Sequence, residues 1–198
     1  MIQVFEKMAK TRDIRVIRTQ TALLEALEEI IRSKKLSDVT ITELCSVARI
    51  NRNTFYYHYN NISEFLDEHK QIILEELSEI PEVSRTHSKE NLIEIIRCIR
   101  RHPYFINIIV STNCDLDFFS PIFDMATKKT SVFLSDKGKE QSSRERLLAA
   151  YCNAGSNAVM IAWILGGMNE KPEEVADIIW DAAHNGVSEI VFPDGKKS

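Results

Sequence analysis

A chain of 198 residues with 44% hydrophobic content, five prolines and six glycines can bury a substantial core, which excludes a disordered or collagen-like polymer. The net charge of −4 weighs against nucleic acid only until its distribution is read: residues 1–60 carry ten Lys/Arg against seven Asp/Glu, and the remainder fifteen against twenty-two, which suits binding at one mildly basic end. The four cysteines, Cys45, Cys98, Cys114 and Cys152, show no CxxC pairing and lie mostly among apolar neighbours, which favours free buried thiols in a reducing cytoplasm over disulfides or zinc.

From Ile14 to Ile31 apolar residues recur at helical spacing through Ile17, Leu23, Leu24, Leu27, Ile30 and Ile31, and predict an amphipathic helix. Arg12, Arg15 and Arg18 crowd its N-terminal end, where the helix dipole disfavours cations. Phosphate contact and a solvated basic face both account for them. Thr40 precedes Glu43 by three residues, a capping box that starts a helix at Ile41, and Leu44, Cys45 and Ala48 continue its apolar face. Arg49-Ile50-Asn51 then interrupts with polar residues and a good cap, and a second short helix is expected from Arg52 to Tyr59.

At about 100° per residue, Phe55 and Tyr59 share one side of that second helix, while Asn53, Tyr56 and Tyr57 point the opposite way and Arg52 flanks them. One face packs and the other is free to read. Two adjacent tyrosines on a solvent face expose apolar area and hydroxyls that seek partners, and on DNA they can meet phosphates and thymine methyls. A third cap, Asn61 with Glu64, opens a longer helix carrying Phe65, Leu66, Ile72, Ile73 and Leu77.

The run Thr40-Ile41-Thr42-Glu43-Leu44, then Ala48, then Asn51-Arg52-Asn53-Thr54-Phe55-Tyr56-Tyr57-His58-Tyr59 resembles the N-terminal DNA-binding domain of the tetracycline-repressor (TetR) family of bacterial regulators, over roughly Arg15 to Leu77. The resemblance implies an all-α fold. It comprises a three-helix helix-turn-helix domain in residues 10–60, a connecting helix over 62–79, and a helical effector-binding and dimerisation domain over 80–198. It also implies that double-stranded DNA, an inverted-repeat operator, is contacted by Thr40, Thr42, Asn51, Arg52, Asn53, Thr54, Tyr56, Tyr57 and His58. Asn53 stands where the family often has a small residue or lysine, and Ile62 where a lysine commonly holds phosphate.

Pro81 and the polar run Ser84 to Lys89 mark a boundary, after which Asn91 to Arg100 resumes as helix and Pro103 breaks it. Further helices are expected over Phe105–Val110 and, with Pro121 in the first turn, Ile122–Leu134; Ser135–Ser142 reads as a loop. The longest helical stretch runs from Arg144 to Leu165, with Ala149, Ala150, Ala154, Gly155 and Ala158 among larger apolar residues. Within it, the apolar run Ala158–Met168 is too short to span a bilayer, and the N-terminus lacks the apolar core of a signal peptide, so a soluble, cytoplasmic protein is expected. Gly166-Gly167 ends the stretch, and Pro172 starts a last helix in which Val175, Ile178, Ile179, Ala182, Ala183, Gly186, Val187 and Ile190 keep three- and four-residue spacing. These two helices can close a monomeric core; the family resemblance implies that they pair into a homodimer.

Catalytic chemistry finds little purchase. No Gly-rich phosphate loop or nucleophile elbow occurs, and His58, His69, His87, His102 and His184 lack metal-ligand spacing, so no enzyme, cofactor or metal is expected. The middle of the chain is rich in aromatic residues. The resemblance implies that a subset, with Phe105, Phe119, Phe123, Tyr151 and Trp163 as candidates, lines a pocket for a small, mostly apolar effector that releases a repressor from DNA. From Tyr151 onward, including Trp163-Ile164-Leu165-Gly166-Gly167 and Pro172-Glu173-Glu174, the chain resembles the C-terminal type common in Firmicutes members of the family, a group that includes regulators of dihydroxyacetone kinase operons. Some of these are thought to answer to a protein partner, which leaves as the alternative a DNA-bound adaptor or co-activator whose C-terminal half docks a protein.

Overall fold

Every element in the described part of the computed structural model is helical, over residues 14–81, 88–111, 113, 121, 122, 124–126 and 142–184. The elements are α1 (Ile14–Ile31), a 3-10 turn (Leu36–Asp38), α2 (Ile41–Val47), α3 (Arg52–His58), α4 (Ile62–Glu79), α5 (Ser88–Arg101), α6 (Pro103–Val110), α7 (Ser143–Leu165) and α8 (Pro172–His184). Most of the helix expected from Ile122, the loop after it and the turns beyond His184 lie outside the described residues, as does Arg12.

The boundaries follow from local chemistry. Thr40 Oγ1 accepts the Glu43 amide at 3.2 Å, the forward half of the expected capping box. Asn51 Oδ1 accepts the Asn53 amide at 2.8 Å at the start of α3. At α4, Asn61 Oδ1 accepts the Glu64 amide as expected, but the return bond from Glu64 goes to the Asn60 amide and side chain, both at 2.8 Å. Pro103 ends α5 and also opens α6, because a missing N–H is harmless in a first helical turn.

The chain forms two compact units, the first drawn from Met1–Ile73 and Arg101–Ser120, the second from Leu74–Arg100 and Pro121–Ser198. In the first, α1 packs on α2 and on α6, and α2 on α3. Leu23, Leu24, Leu27, Ile30 and Ile31 form the buried stripe of α1, and Leu44, Phe55 and Phe65 are each fully enclosed. The α6 segment is tied to α1 by polar bonds as well. Asn107 Nδ2 donates to Glu28 at 3.1 Å, and the Tyr104 hydroxyl bonds to Glu25, which raises the phenol's pKa. Asn113 closes the end of α1: its Nδ2 donates to the Ile31 carbonyl at 2.8 Å, and its own carbonyl accepts the Leu36 amide at 2.9 Å.

In the second unit α7 and α8 pack as a hairpin. Gly167 sits at φ 90°, which lets its amide reach the Ile164 carbonyl and the Met168 amide reach the Trp163 carbonyl, the paired bonds of a Schellman stop. Trp163, Ile164, Met168, Val175, Ala176 and Ile179 are buried. Helices α5 and α8 are joined by Lys89 to Asp177 at 2.9 Å and by a close Arg97–Glu173 pair, with Glu94 also on Arg97 at 2.5 Å.

The other side of α7 is open. Leu147, Tyr151, Ala154, Ala158, Ile161 and Leu165 recur at alternating spacings of four and three, and all six are exposed, Leu147 at 71%, Tyr151 at 69% and Leu165 at 67%. A Cβ built on Gly155 beside them would meet nothing within 4 Å. As folded, the apolar stretch is longer than the eleven residues read from sequence: Arg146–Leu165 is long and apolar enough to cross a membrane by length and composition alone, the one such span among the described helices.

Candidate nucleic-acid interface

Helices α2 and α3 are seven residues each, about 10 Å long at 1.5 Å per residue, a size that a major groove about 12 Å wide accepts. The turn between them has Schellman bonds: the Arg49 amide reaches the Ser46 carbonyl at 3.2 Å and the Ile50 amide reaches the Cys45 carbonyl at 2.9 Å. This requires left-handed backbone at Arg49, with φ at 56°, where glycine is the inexpensive residue. The Cys45 thiol behind the turn is buried, and burial pushes its pKa up.

Helix α3 has one buried residue, Phe55, whose ring lies 5.6 Å from that of Tyr59 and 6.4 Å from that of Phe65. The opposite surface carries Arg52, Asn53, Thr54, Tyr56 and Tyr57, all exposed, Tyr57 at 84% and Tyr56 at 49%. The Arg52 guanidinium stands 6.0 Å from the Tyr56 ring centroid, and the half-buried His58 meets the Tyr57 ring edge-on at 4.9 Å. Thr40, Thr42 and Asn51 are exposed along the adjoining edge. Thr40 Oγ1 accepts its capping bond and so has its proton to donate outward. Arg15 and Arg18 are exposed on α1. The nine residues singled out from sequence thus occupy α3, its cap and the start of α2, presenting a guanidinium, an amide, hydroxyls and two phenols. Such groups bond phosphate oxygens and base edges.

Three of the five candidate pocket residues, Phe105, Tyr151 and Trp163, lie among the described residues. Phe105 is buried in the first unit, its ring stacked 6.0 Å from that of His69. Tyr151 is exposed on the open face of α7, whereas Trp163, twelve residues or about 18 Å further along that helix, is buried and donates its indole N–H to the Glu170 carbonyl at 3.3 Å. Phe119 and Phe123 fall outside the described residues.

The sequence reading passed over a polar cluster at the end of α3. The Tyr59 hydroxyl donates to Glu68 in a very close bond, and Gln20 Nε2 donates to the Tyr59 oxygen at 2.6 Å and to Glu68 at 3.1 Å. The signal was available: Glu68 lies between Phe65 and Ile72 on the apolar stripe of α4, and a tyrosine on a packing face brings a hydroxyl that needs a partner.

The family model described as a transcriptional regulator C-terminal region, of the TetR type, matches residues 86–185. No curated protein matches the chain in sequence. Among solved structures it is similar to the dihydroxyacetone kinase operon activator DhaS, with a TM-score of 0.51 and 20% identity over 85% of this chain and 96% of that one. It is also similar to NalD, the secondary repressor of the MexAB-OprM multidrug efflux pump in Pseudomonas aeruginosa, with a TM-score of 0.56 and 15% identity over 88% of this chain and 98% of that one. At these identities the likeness concerns the fold.

Proposed function

Because the chain belongs to the TetR family of transcriptional regulators, we propose that it is a homodimeric repressor that reads an inverted-repeat DNA operator with α3 and is released by a small, mostly apolar effector. The observation that carries the reading is the division of α3 into a buried anchor, Phe55, and an exposed face of Arg52, Asn53, Tyr56 and Tyr57. Arg52, Asn53, Tyr56 and Tyr57 take base edges, and Thr40, Thr42, Asn51, Thr54 and His58 take backbone phosphates.

The dimer is supported by the open seam of α7. Apolar residues alternating at four and three, with alanines and a glycine at the centre, make the pattern by which a second helix approaches closely along a coiled-coil seam. A second copy covering that seam accounts for its apolarity without a bilayer. Twofold symmetry then presents two copies of α3 to half-sites about 34–36 Å apart.

Selection of bound fragments from the organism's genomic DNA, followed by footprinting, tests the reading. Protection of an inverted repeat by a dimer supports it, and retention of no specific fragment rejects it. Operator release by a protein-free metabolite extract supports the effector; release or recruitment seen only with a protein extract rejects it in favour of an adaptor.

A further inference from the structure

Helix α3 is too short to orient itself. Its start is fixed by the turn from α2 and its middle by Phe55, which leaves the end at Tyr59 to set its tilt. Tyr59 is the residue just past α3; its amide closes the last turn on the Phe55 carbonyl at 2.9 Å, so wherever its side chain is held the end of the helix follows. The ring lies 5.1 Å from Phe65 and 5.6 Å from Phe55, contacts a phenylalanine would make equally well. The hydroxyl adds something apolar packing lacks, which is direction. It is buried, it donates to the Glu68 carboxylate of α4, and it accepts from Gln20 of α1, itself buried and bonded to the same carboxylate. A bond to an ionised acceptor is short and narrow in angle, whereas ring packing tolerates sliding and tilting.

We propose that Tyr59, held by Glu68 and Gln20, is a positioning residue for DNA reading: its hydroxyl locks the end of α3 between α1 and α4, so that Asn53, Tyr56 and Tyr57 meet base edges in register. The proposal rests on α3 being the reading helix. It assigns operator affinity and discrimination to a group that touches no DNA.

The test compares Tyr59→Phe, Glu68→Gln, Glu68→Ala and the double variant Tyr59→Phe/Glu68→Ala with the wild-type full chain. Titrations use the genomic fragment the wild type selects and a scrambled duplex, well below each variant's melting temperature. Glutamine keeps an acceptor oxygen for the phenol; alanine does not. Tyr59→Phe and Glu68→Ala are each expected to bind the selected fragment about tenfold more weakly, the loss of one charge-assisted bond, with scrambled-duplex binding held within about twofold. The double variant should lose no more than either single one, since both remove the same bond. Glu68→Gln should restore most of the affinity, which a stability role alone would not predict for folded protein. Wild-type affinity and discrimination in Tyr59→Phe, beside a Tyr57→Ala control that loses binding, would overturn the proposal. If Tyr59→Phe does not fold, the Glu68 pair decides: equal binding by the glutamine and alanine variants also overturns it. A wild-type chain that selects no DNA, or a Tyr57→Ala variant that binds as wild type does, removes the reading helix itself and the proposal with it.

Discussion

The ammonium of Lys34, in the loop after α1, lies 2.6 Å from the carboxylate of Glu43 in the first turn of α2, and both side chains are partly exposed. The pair links the loop to the capped start of α2, because the amide of the same Glu43 is held by Thr40 Oγ1. Hydrogen bonding from Lys34, ahead of the other causes, holds the Glu43 pKa below its ordinary 4.5.

A group whose pKa falls on folding stabilises the native state above its unfolded value and loses that contribution as pH drops through its folded value. Melting temperature should therefore decline below about pH 4.5 in the wild type, and the Glu43→Gln variant should decline less steeply there while matching the wild-type slope above pH 6. Thermal scans across the acid range check this; parallel curves throughout would remove Glu43 as a contributor.

Arg49→Gly should stabilise the protein. A left-handed backbone costs a non-glycine residue about 1–2 kcal/mol, and glycine returns part of this through a freer unfolded chain, which leaves a gain of roughly 0.5–1 kcal/mol. Urea unfolding of Arg49→Gly and Arg49→Val should bracket the wild type, with valine the least stable. A glycine variant that melts earlier would show that the arginine side chain stabilises more than its backbone strains.

Removing a base contact costs about 1–3 kcal/mol, so Asn53→Ala with Tyr57→Ala should weaken binding to a selected fragment by at least tenfold. Tyr57 is 84% exposed, so the melting temperature should hardly move. Unchanged affinity in titrations would move the reading surface off α3.

Ala158→Glu should split the dimer without unfolding the monomer. The residue is exposed in the single chain, so the carboxylate harms only an assembly that would bury it unpaired. Sedimentation should give half the wild-type mass with an unaltered helical spectrum. Ile179→Glu is the contrast: Ile179 is 6% exposed inside its own unit while the neighbouring Ile178 is 45% exposed, so that variant should unfold the C-terminal unit.

Periodicity made α1 legible, and caps did so for α2, α3 and α4, because each of those three starts is written within four residues: Thr40 with Glu43, Asn51 with Asn53, Asn61 with Glu64. The buried side of α3 was equally readable, since Phe55 and Tyr59 recur one turn apart. Long-range pairings were not. Nothing near Asn107 or Asn113 announces that their amides meet Glu28 and Ile31, some eighty residues earlier. The inner side of α8 was ambiguous for a different reason: Ile178 and Ile179 are both apolar and about 100° apart, and only packing decides that the second turns inward.

Because Asn113 closes the end of α1 and Phe105 is buried beside His69, the amino-terminal unit is discontinuous in the gene. On the ribosome, α1 to α3 emerge early yet wait for some forty further residues before α6 can cover them. Until then Phe65, His69 and the last turn of α1 are open to chaperones. A gene truncated after residue 80 would strand the nascent unit at that stage, whereas one ending after residue 120 would let it close.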